Sequence, residues 1–289
     1  RRTPWLPMLA LFLGVTIPWY AAATAANGMA FLSHFIGFSN LDRFTSVLYS
    51  HPGPPWFYLP WLVVLLLPWS IFLPVAVARL RFWRPQIWRG PAGPGDLPLL
   101  ALIWLLLIVA FFSAAATKLP GYILPALPGG ALLVGLLFAP FPVAAGQSEL
   151  VPGPGLRWSG AINALLLAAA ALAAALAPGW IGGDPSFPGF AEVIRASPLP
   201  LLLALPLTLA AVALTVALLR SKGQPGALAW LWLPNAAAFA GVLALVVPAL
   251  TPLLDQERLL PIRTLARLAG REAKQGEPLL VCLLYTSDA

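Results

Sequence analysis

Leu97-Pro98-Leu99-Leu100-Ala101-Leu102-Ile103-Trp104-Leu105-Leu106-Leu107-Ile108-Val109-Ala110-Phe111-Phe112-Ser113 runs without a single charged side chain. A helix crosses a bilayer in about 20 mostly apolar residues, and residues 97–116 reach that length. Outward from this stretch the pattern repeats, over approximately 4–25, 55–78, 121–142, 158–178, 197–219 and 227–250. The sequence therefore predicts an all-α, polytopic membrane bundle of seven spans. Composition agrees: of 289 residues, 60% are hydrophobic and 9% charged, where soluble domains carry roughly 25% charged residues. The 32 prolines are compatible with spans, because neighbouring helices can satisfy the carbonyls they free, and they mark expected kinks.

Orientation follows from the basic residues near span ends. Arg1 and Arg2 precede the first span, Arg79, Arg81, Arg84 and Arg89 follow the second, Arg157 lies between the fourth and fifth, and Arg220 and Lys222 follow the sixth. With seven crossings all fall on one side, which is expected to be cytoplasmic. The net charge of +7 then reflects membrane anchoring rather than a nucleic-acid partner.

The opposite side receives residues 26–54, the short turn at Thr117-Lys118-Leu119-Pro120, residues 179–196 and everything after Pro252. Phe31, Phe35 and Phe38 recur at i, i+4 and i+7, predicting a helix in the membrane interface. Residues 163–177 are nearly all Ala and Leu, which favours helix and close helix approach. Asp184 and Glu192 stand among Pro185, Pro188 and Gly189, an expected exposed turn.

Three regions are expected: a transmembrane domain over 1–252, the beginning of an extracytoplasmic domain over 253–281, and a tail over 282–289. The middle region turns charged, with Asp255, Glu257, Arg258, Arg263, Arg267, Arg271, Glu272 and Lys274. Cys282-Leu283-Leu284-Tyr285-Thr286-Ser287-Asp288-Ala289 matches the translation of a transposase mosaic-end adapter used in shotgun DNA libraries, so Cys282 supports no disulfide or metal argument. The abrupt opening at Arg1-Arg2 is expected to follow missing N-terminal spans.

Polar residues in membranes are costly enough to need a reason, and here they gather in two places. One is Asn40-Leu41-Asp42-Arg43-Phe44-Thr45-Ser46 with His51-Pro52-Gly53-Pro54-Pro55-Trp56-Phe57-Tyr58. The other is Phe111-Phe112-Ser113 with Thr117-Lys118-Leu119-Pro120-Gly121-Tyr122-Ile123-Leu124-Pro125. Arg43 offers a planar fork for phosphate, Lys118 a second cation, and Tyr58 and Tyr122 hydroxyl donors. The competing reading is structural: snorkelling cations and an aromatic belt. His34 and His51 lack further ligands at metal-binding spacing.

The ordered set Arg43-Phe44-Thr45-Ser46-Val47, His51-Pro52, Pro55 to Pro60, Leu67-Pro68-Trp69, Phe111-Phe112-Ser113 and Lys118 to Pro125 resembles glycosyltransferase family 39 and the bacterial aminoarabinose transferases, within the dolichyl-phosphate-mannose-protein-mannosyltransferase-like superfamily. The resemblance covers about residues 1–140. It implies inverting transfer of a sugar from a polyprenyl-phosphate carrier to an extracytoplasmic acceptor at a bacterial-type inner membrane. It implies carrier-phosphate contacts at Arg43 and Tyr122; Lys118 is read from its chemistry as a second cation for that phosphate, with His51, Tyr58 and Asp42 in support. Lys118 could alternatively bond backbone carbonyls. The catalytic carboxylates are implied upstream of Arg1, so these 289 residues alone are expected to be inactive. The displacement is compatible with metal-independent or divalent-metal-assisted chemistry.

The family's histidine-rich stretch before the arginine is replaced here by Gly37-Phe38-Ser39-Asn40-Leu41-Asp42, which weakens lipid A as the acceptor. Rival readings are a lipid or solute transporter and a non-catalytic membrane scaffold. No internal repeat of the transporter kind is evident.

Overall fold

The computed structural model describes residues 5–47, 51–89, 96–138, 154–182, 189–256 and 260–272. Among them it is helical throughout, with no strand. Arg1, Arg2, Asp184, Glu257, Arg258, Lys274 and residues 282–289 lie outside the described residues. The chain falls into two compact units, Arg1–Asn163 with Val216–Trp232, and Ala164–Thr215 with Leu233–Ala289.

The first unit opens with α1 (Trp5–Asn27), which buries none of its residues. Next come α2 (Met29–Ser33), a π-helix over His34–Asp42, and α3 (Arg43–Thr45). The helix expected from the phenylalanine spacing is therefore present, but most of it is wound more widely than an α-helix. Polar side chains reach back five residues, with Asn40 Nδ2 donating to the Phe35 carbonyl and Ser39 Oγ 3.5 Å from His34 Nδ1. Phe31 and Phe35 stack at 6.1 Å, whereas Phe38 pairs with His34 at 5.0 Å. Widening the helix takes Phe38 off the face that α-helical spacing predicts for it.

The second predicted span is broken. Tyr58–Leu65 (α4) stops before Leu67-Pro68, a cis peptide, and the chain resumes in a 3₁₀ turn over Trp69–Phe72 and in α5 (Leu73–Leu80), bent by 111° from α4. Pro68 has no N–H to continue the α-helical ladder, which is why the break falls there. The bent pair still runs the length of its neighbour. Its Tyr58 hydroxyl accepts from Leu119 N–H, and its Arg79 donates to Leu137 O. Leu119 and Leu137 lie at opposite ends of the 19-residue helix Pro120–Phe138, which is about 32 Å long with a 3₁₀ rise of about 2.0 Å per residue over Pro120–Ala126 and an α-helical rise of about 1.5 Å beyond. Six other described helices are long and apolar enough to span, and counting the bent pair as one span brings the total to the seven read from hydropathy.

Two further helices complete the centre of this unit, α7 (Asp96–Ala114) and α8 (Leu127–Phe138), the latter entered through a 3₁₀ turn over Pro120–Ala126. Between lipid-exposed helices there is little hydrophobic drive, so close van der Waals contact has to hold them. A Cβ on Gly129 would lie 2.8 Å from the Ala101 carbonyl oxygen and 3.0 Å from Leu105 N. Only glycine lets these two backbones touch. Trp104 Nε1 adds a 2.9 Å bond to Pro125 O. Many large apolar side chains remain exposed, Leu100 and Leu107 among them, as expected where lipid is the solvent.

At the other end of this group, α5 leads through a left-handed Arg81 (φ 49°) into α6 (Pro85–Arg89). Here Val75 packs against Gly155 at the start of α9 (Pro154–Trp180). Gly160 packs against Leu218 near the end of α11 (Leu199–Arg220) and against Leu231. The segments bearing Arg79, Arg157 and Arg220 thus come together at one end, as the charge pattern predicts.

In the second unit, the Ala-Leu run of α9 buries Ala164, Leu167, Ala171, Ala174 and Ala177, one stripe at helical spacing. α10 (Phe190–Ala196) holds Glu192 in its first turn. This corrects the expected exposed turn in part: Glu192 is exposed, but the residues after Gly189 form helix. Arg195 from α10 caps the end of α9, donating to the carbonyls of Pro178 and Ile181. α12 (Trp232–Leu254) approaches α11 closely, since a Cβ on Gly241 would lie 2.9 Å from Pro206 Cβ. α13 (Leu260–Glu272) is the last described helix, and its Arg263 pairs with Asp255 at 3.8 Å.

Candidate functional site

The loop joining α7 to the Pro120 turn is pinned by main-chain bonds to the segment around Arg43. Ala116 N–H donates to Phe44 O at 2.8 Å, Thr117 N–H to Arg43 O at 3.2 Å, and Lys118 N–H to His51 O at 3.0 Å. Thr117 Oγ1 donates to Ser46 O at 2.8 Å. Both polar stretches singled out in the sequence, some 70 residues apart, thereby become one site. Leu119 is extended (φ −131°, ψ 135°), the conformation demanded of a residue preceding proline. The Pro120 turn follows at once and presents Tyr122.

Arg43 and Tyr122 meet there, with Arg43 Nη1 donating to the Tyr122 hydroxyl at 3.1 Å. The tyrosine oxygen accepts in this bond, so its own proton stays available to donate. Arg43 Nε is buried without a hydrogen-bond partner among the described residues. A buried donor of this kind is costly unless something accepts from it. Tyr122, Phe112 and Tyr58 form an aromatic wall, with centroid separations of 5.4 Å for Phe112–Tyr122 and 6.2 Å for Tyr58–Phe112. Phe44 extends it through Phe111 at 5.2 Å.

Lys118, expected as a second cation for a phosphate, is directed elsewhere. Its ammonium donates to the carbonyls of Phe112, Ser113 and Ala115, satisfying acceptors that the end of α7 leaves without intrahelical partners. A cation suits a helix C-terminus. All three of its protons are committed, and only 5% of the residue is exposed. Burial pushes its pKa below the ordinary lysine value. The Tyr58 ring lies 5.7 Å from Nζ, and Gly53 leaves room for the stem, since a Cβ there would lie 2.7 Å from Lys118 Cγ.

The supporting residues act mainly through backbone or packing. Tyr58 is fully buried and fixes Leu119 through its hydroxyl. His51 is exposed, and its carbonyl is what engages the loop. Asp42 is also exposed, and its carbonyl accepts from Ser46 N–H and Oγ. Among the described residues no ion pair joins the Asp42 carboxylate to Arg43. Among the described residues no three His, Cys, Asp or Glu side chains are grouped to hold a metal ion.

No family model matches the chain. It is 40% identical over 168 residues to an undecaprenyl phosphate-alpha-4-amino-4-deoxy-L-arabinose arabinosyl transferase of Pseudomonas aeruginosa (strain UCBPP-PA14), covering 58% of this chain and 28% of that protein. It is 35% identical over 131 residues to the protein of the same name from Shewanella sediminis, covering 45% and 22%. The match thus spans about a quarter of the length of these relatives. Among solved structures, ArnT from Cupriavidus metallidurans bound to undecaprenyl phosphate matches with a TM-score of 0.60 at 20% identity, over 94% of this chain and 43% of that one. Its apo form matches with 0.56. The chain is related in sequence to aminoarabinose transferases, and it has the membrane-helical fold of the corresponding part of ArnT.

Proposed function

We propose that this chain is part of a membrane glycosyltransferase that moves a sugar from a polyprenyl-phosphate carrier to an acceptor, and that Arg43 and Tyr122 hold the carrier phosphate. The observation that carries the reading is the pair itself: a guanidinium and a phenol joined at 3.1 Å, with the phenol proton and a buried Nε–H still able to donate. In the reaction an acceptor oxygen attacks the anomeric carbon as the bond to the carrier phosphate breaks. Negative charge grows on the departing phosphate, where donors held in advance lower the barrier most. The acceptor proton needs a carboxylate base, placed upstream of Arg1 in this reading. Lys118 and Tyr58 serve as supports that fix the Tyr122 turn, and His51 and Asp42 contribute main-chain carbonyls.

The basic end faces the cytoplasm by the positive-inside rule, so the Arg43–Tyr122 end is extracytoplasmic at a bacterial inner membrane. The relatives and the ArnT structure carry names pointing to undecaprenyl phosphate, and a carrier of that class fits this site. The sequence at 37–42 keeps the acceptor from being assigned to lipid A.

The test is sugar transfer from a labelled undecaprenyl-phosphate sugar by the complete protein and by its Arg43→Gln variant. A loss of roughly 10- to 100-fold in turnover is expected, the size of a charge-assisted bond of about 1.5–3 kcal/mol. Full activity in the variant, or transfer by residues 1–289 alone, would contradict the assignment.

A further inference from the structure

At the opposite end of the first unit, we infer that residues 73–89 form a docking strap for the headgroup of an anionic phospholipid. The strap is held to the bundle on one side, with Ala76 and Leu80 buried and Arg79 Nη1 donating to Leu137 O at 3.2 Å. Its other side carries Arg81 and Arg84, both exposed, together with Trp83 and Trp88, which are 59% and 54% exposed. Trp88 Nε1 closes the turn by donating to Phe82 O at 2.7 Å. No Asp or Glu occurs between Asp42 and Asp96, so the strap brings no acidic partner of its own. It lies where the bent span ends, at headgroup depth, where indole rings and basic side chains are both favoured.

Arg81 separates this strap from an ordinary row of surface arginines. It is the one described non-glycine residue with positive φ, at 49°, a conformation that glycine adopts freely and other L-residues resist. Strain kept at such a position points to a use for the side chain. Here it turns the chain so that Arg81 and Arg84 stand on successive corners, with Arg84 N–H donating to Arg81 O at 2.9 Å. Two guanidinium groups one turn apart suit a lipid phosphate, to which arginine binds as a fork.

The experiment titrates the delipidated chain in neutral detergent with phosphatidylglycerol, phosphatidylcholine or glycerol 3-phosphate, reading the midpoint of thermal unfolding. Phosphatidylglycerol is expected to raise the midpoint at concentrations where the other two do nothing. The Arg81→Gln/Arg84→Gln variant should need roughly 30-fold more of it, the effect of two basic residues at a membrane surface. Arg81→Gly relaxes the backbone, so it should unfold later than wild type without lipid yet respond more weakly to phosphatidylglycerol. That variant carries the test if the double variant does not fold. Wild-type lipid response in either variant, equal response to phosphatidylcholine, or protection by glycerol 3-phosphate alone would overturn the proposal.

Discussion

The two ends of the first unit both carry cations and use them in opposite ways. At the Tyr122 end there are two: Lys118, buried with all three protons on carbonyls, and Arg43, half-buried and bonded to one hydroxyl. At the Arg79 end the cations are more numerous, and Arg81 and Arg84 stand exposed beside tryptophans. The number of positive charges at an end reports which way the chain crosses the membrane. What those charges bond to reports where chemistry can occur.

The sharpest way to break this contrast is to remove charge at each end in turn. Lys118→Met keeps most of the side-chain volume but takes the lysine donor from the Ser113 and Ala115 carbonyls, at about 1–3 kcal/mol for each group left unsatisfied. A total loss of about 3–5 kcal/mol is expected, whereas Arg84→Gln in neutral detergent should change stability by less than about 0.5 kcal/mol. Unfolding measured side by side tests it. Equal effects would mean that Lys118 is an anchor like the others.

A smaller effect is expected from the glycines of α8. Gly129→Ala drives a methyl into the backbone of α7 and should cost about 1–3 kcal/mol. At Gly130 the obstructing atom is Leu66 Cδ1, the far end of a side chain that can turn aside, so Gly130→Ala should cost less. A Cβ added at Gly135 would meet nothing within 4 Å, and there alanine should be neutral or stabilising through helix propensity. Any other order in the three unfolding midpoints would show that backbone contact between α7 and α8 does not set the packing.

The spans were legible in the sequence because hydropathy is an average over 20 residues and survives local irregularity. The 111° bend was not, because Pro68 announces a break without fixing its angle. The π-helix was missed for a related reason. The phenylalanine pattern at 31, 35 and 38 fits an α-helix, and only the five-residue reach of Asn40 and Ser39 reveals the wider winding. At the site, residue chemistry and family resemblance singled out Arg43 and Tyr122, but their contact across 79 positions needs the tertiary structure. Lys118 shows the limit most clearly. A cation beside an aromatic belt reads as ligand or as support, and its three carbonyl bonds are what favour support.

The most direct test is a double-mutant cycle on undecaprenyl phosphate affinity, with Arg43→Lys, Tyr122→Phe and the two combined. Because one phosphate is held by two groups that also bond each other, the effects should not add, with a coupling energy of about 1 kcal/mol. Additive losses, or wild-type affinity in either single variant, would contradict the claim that Arg43 and Tyr122 form one carrier-phosphate site.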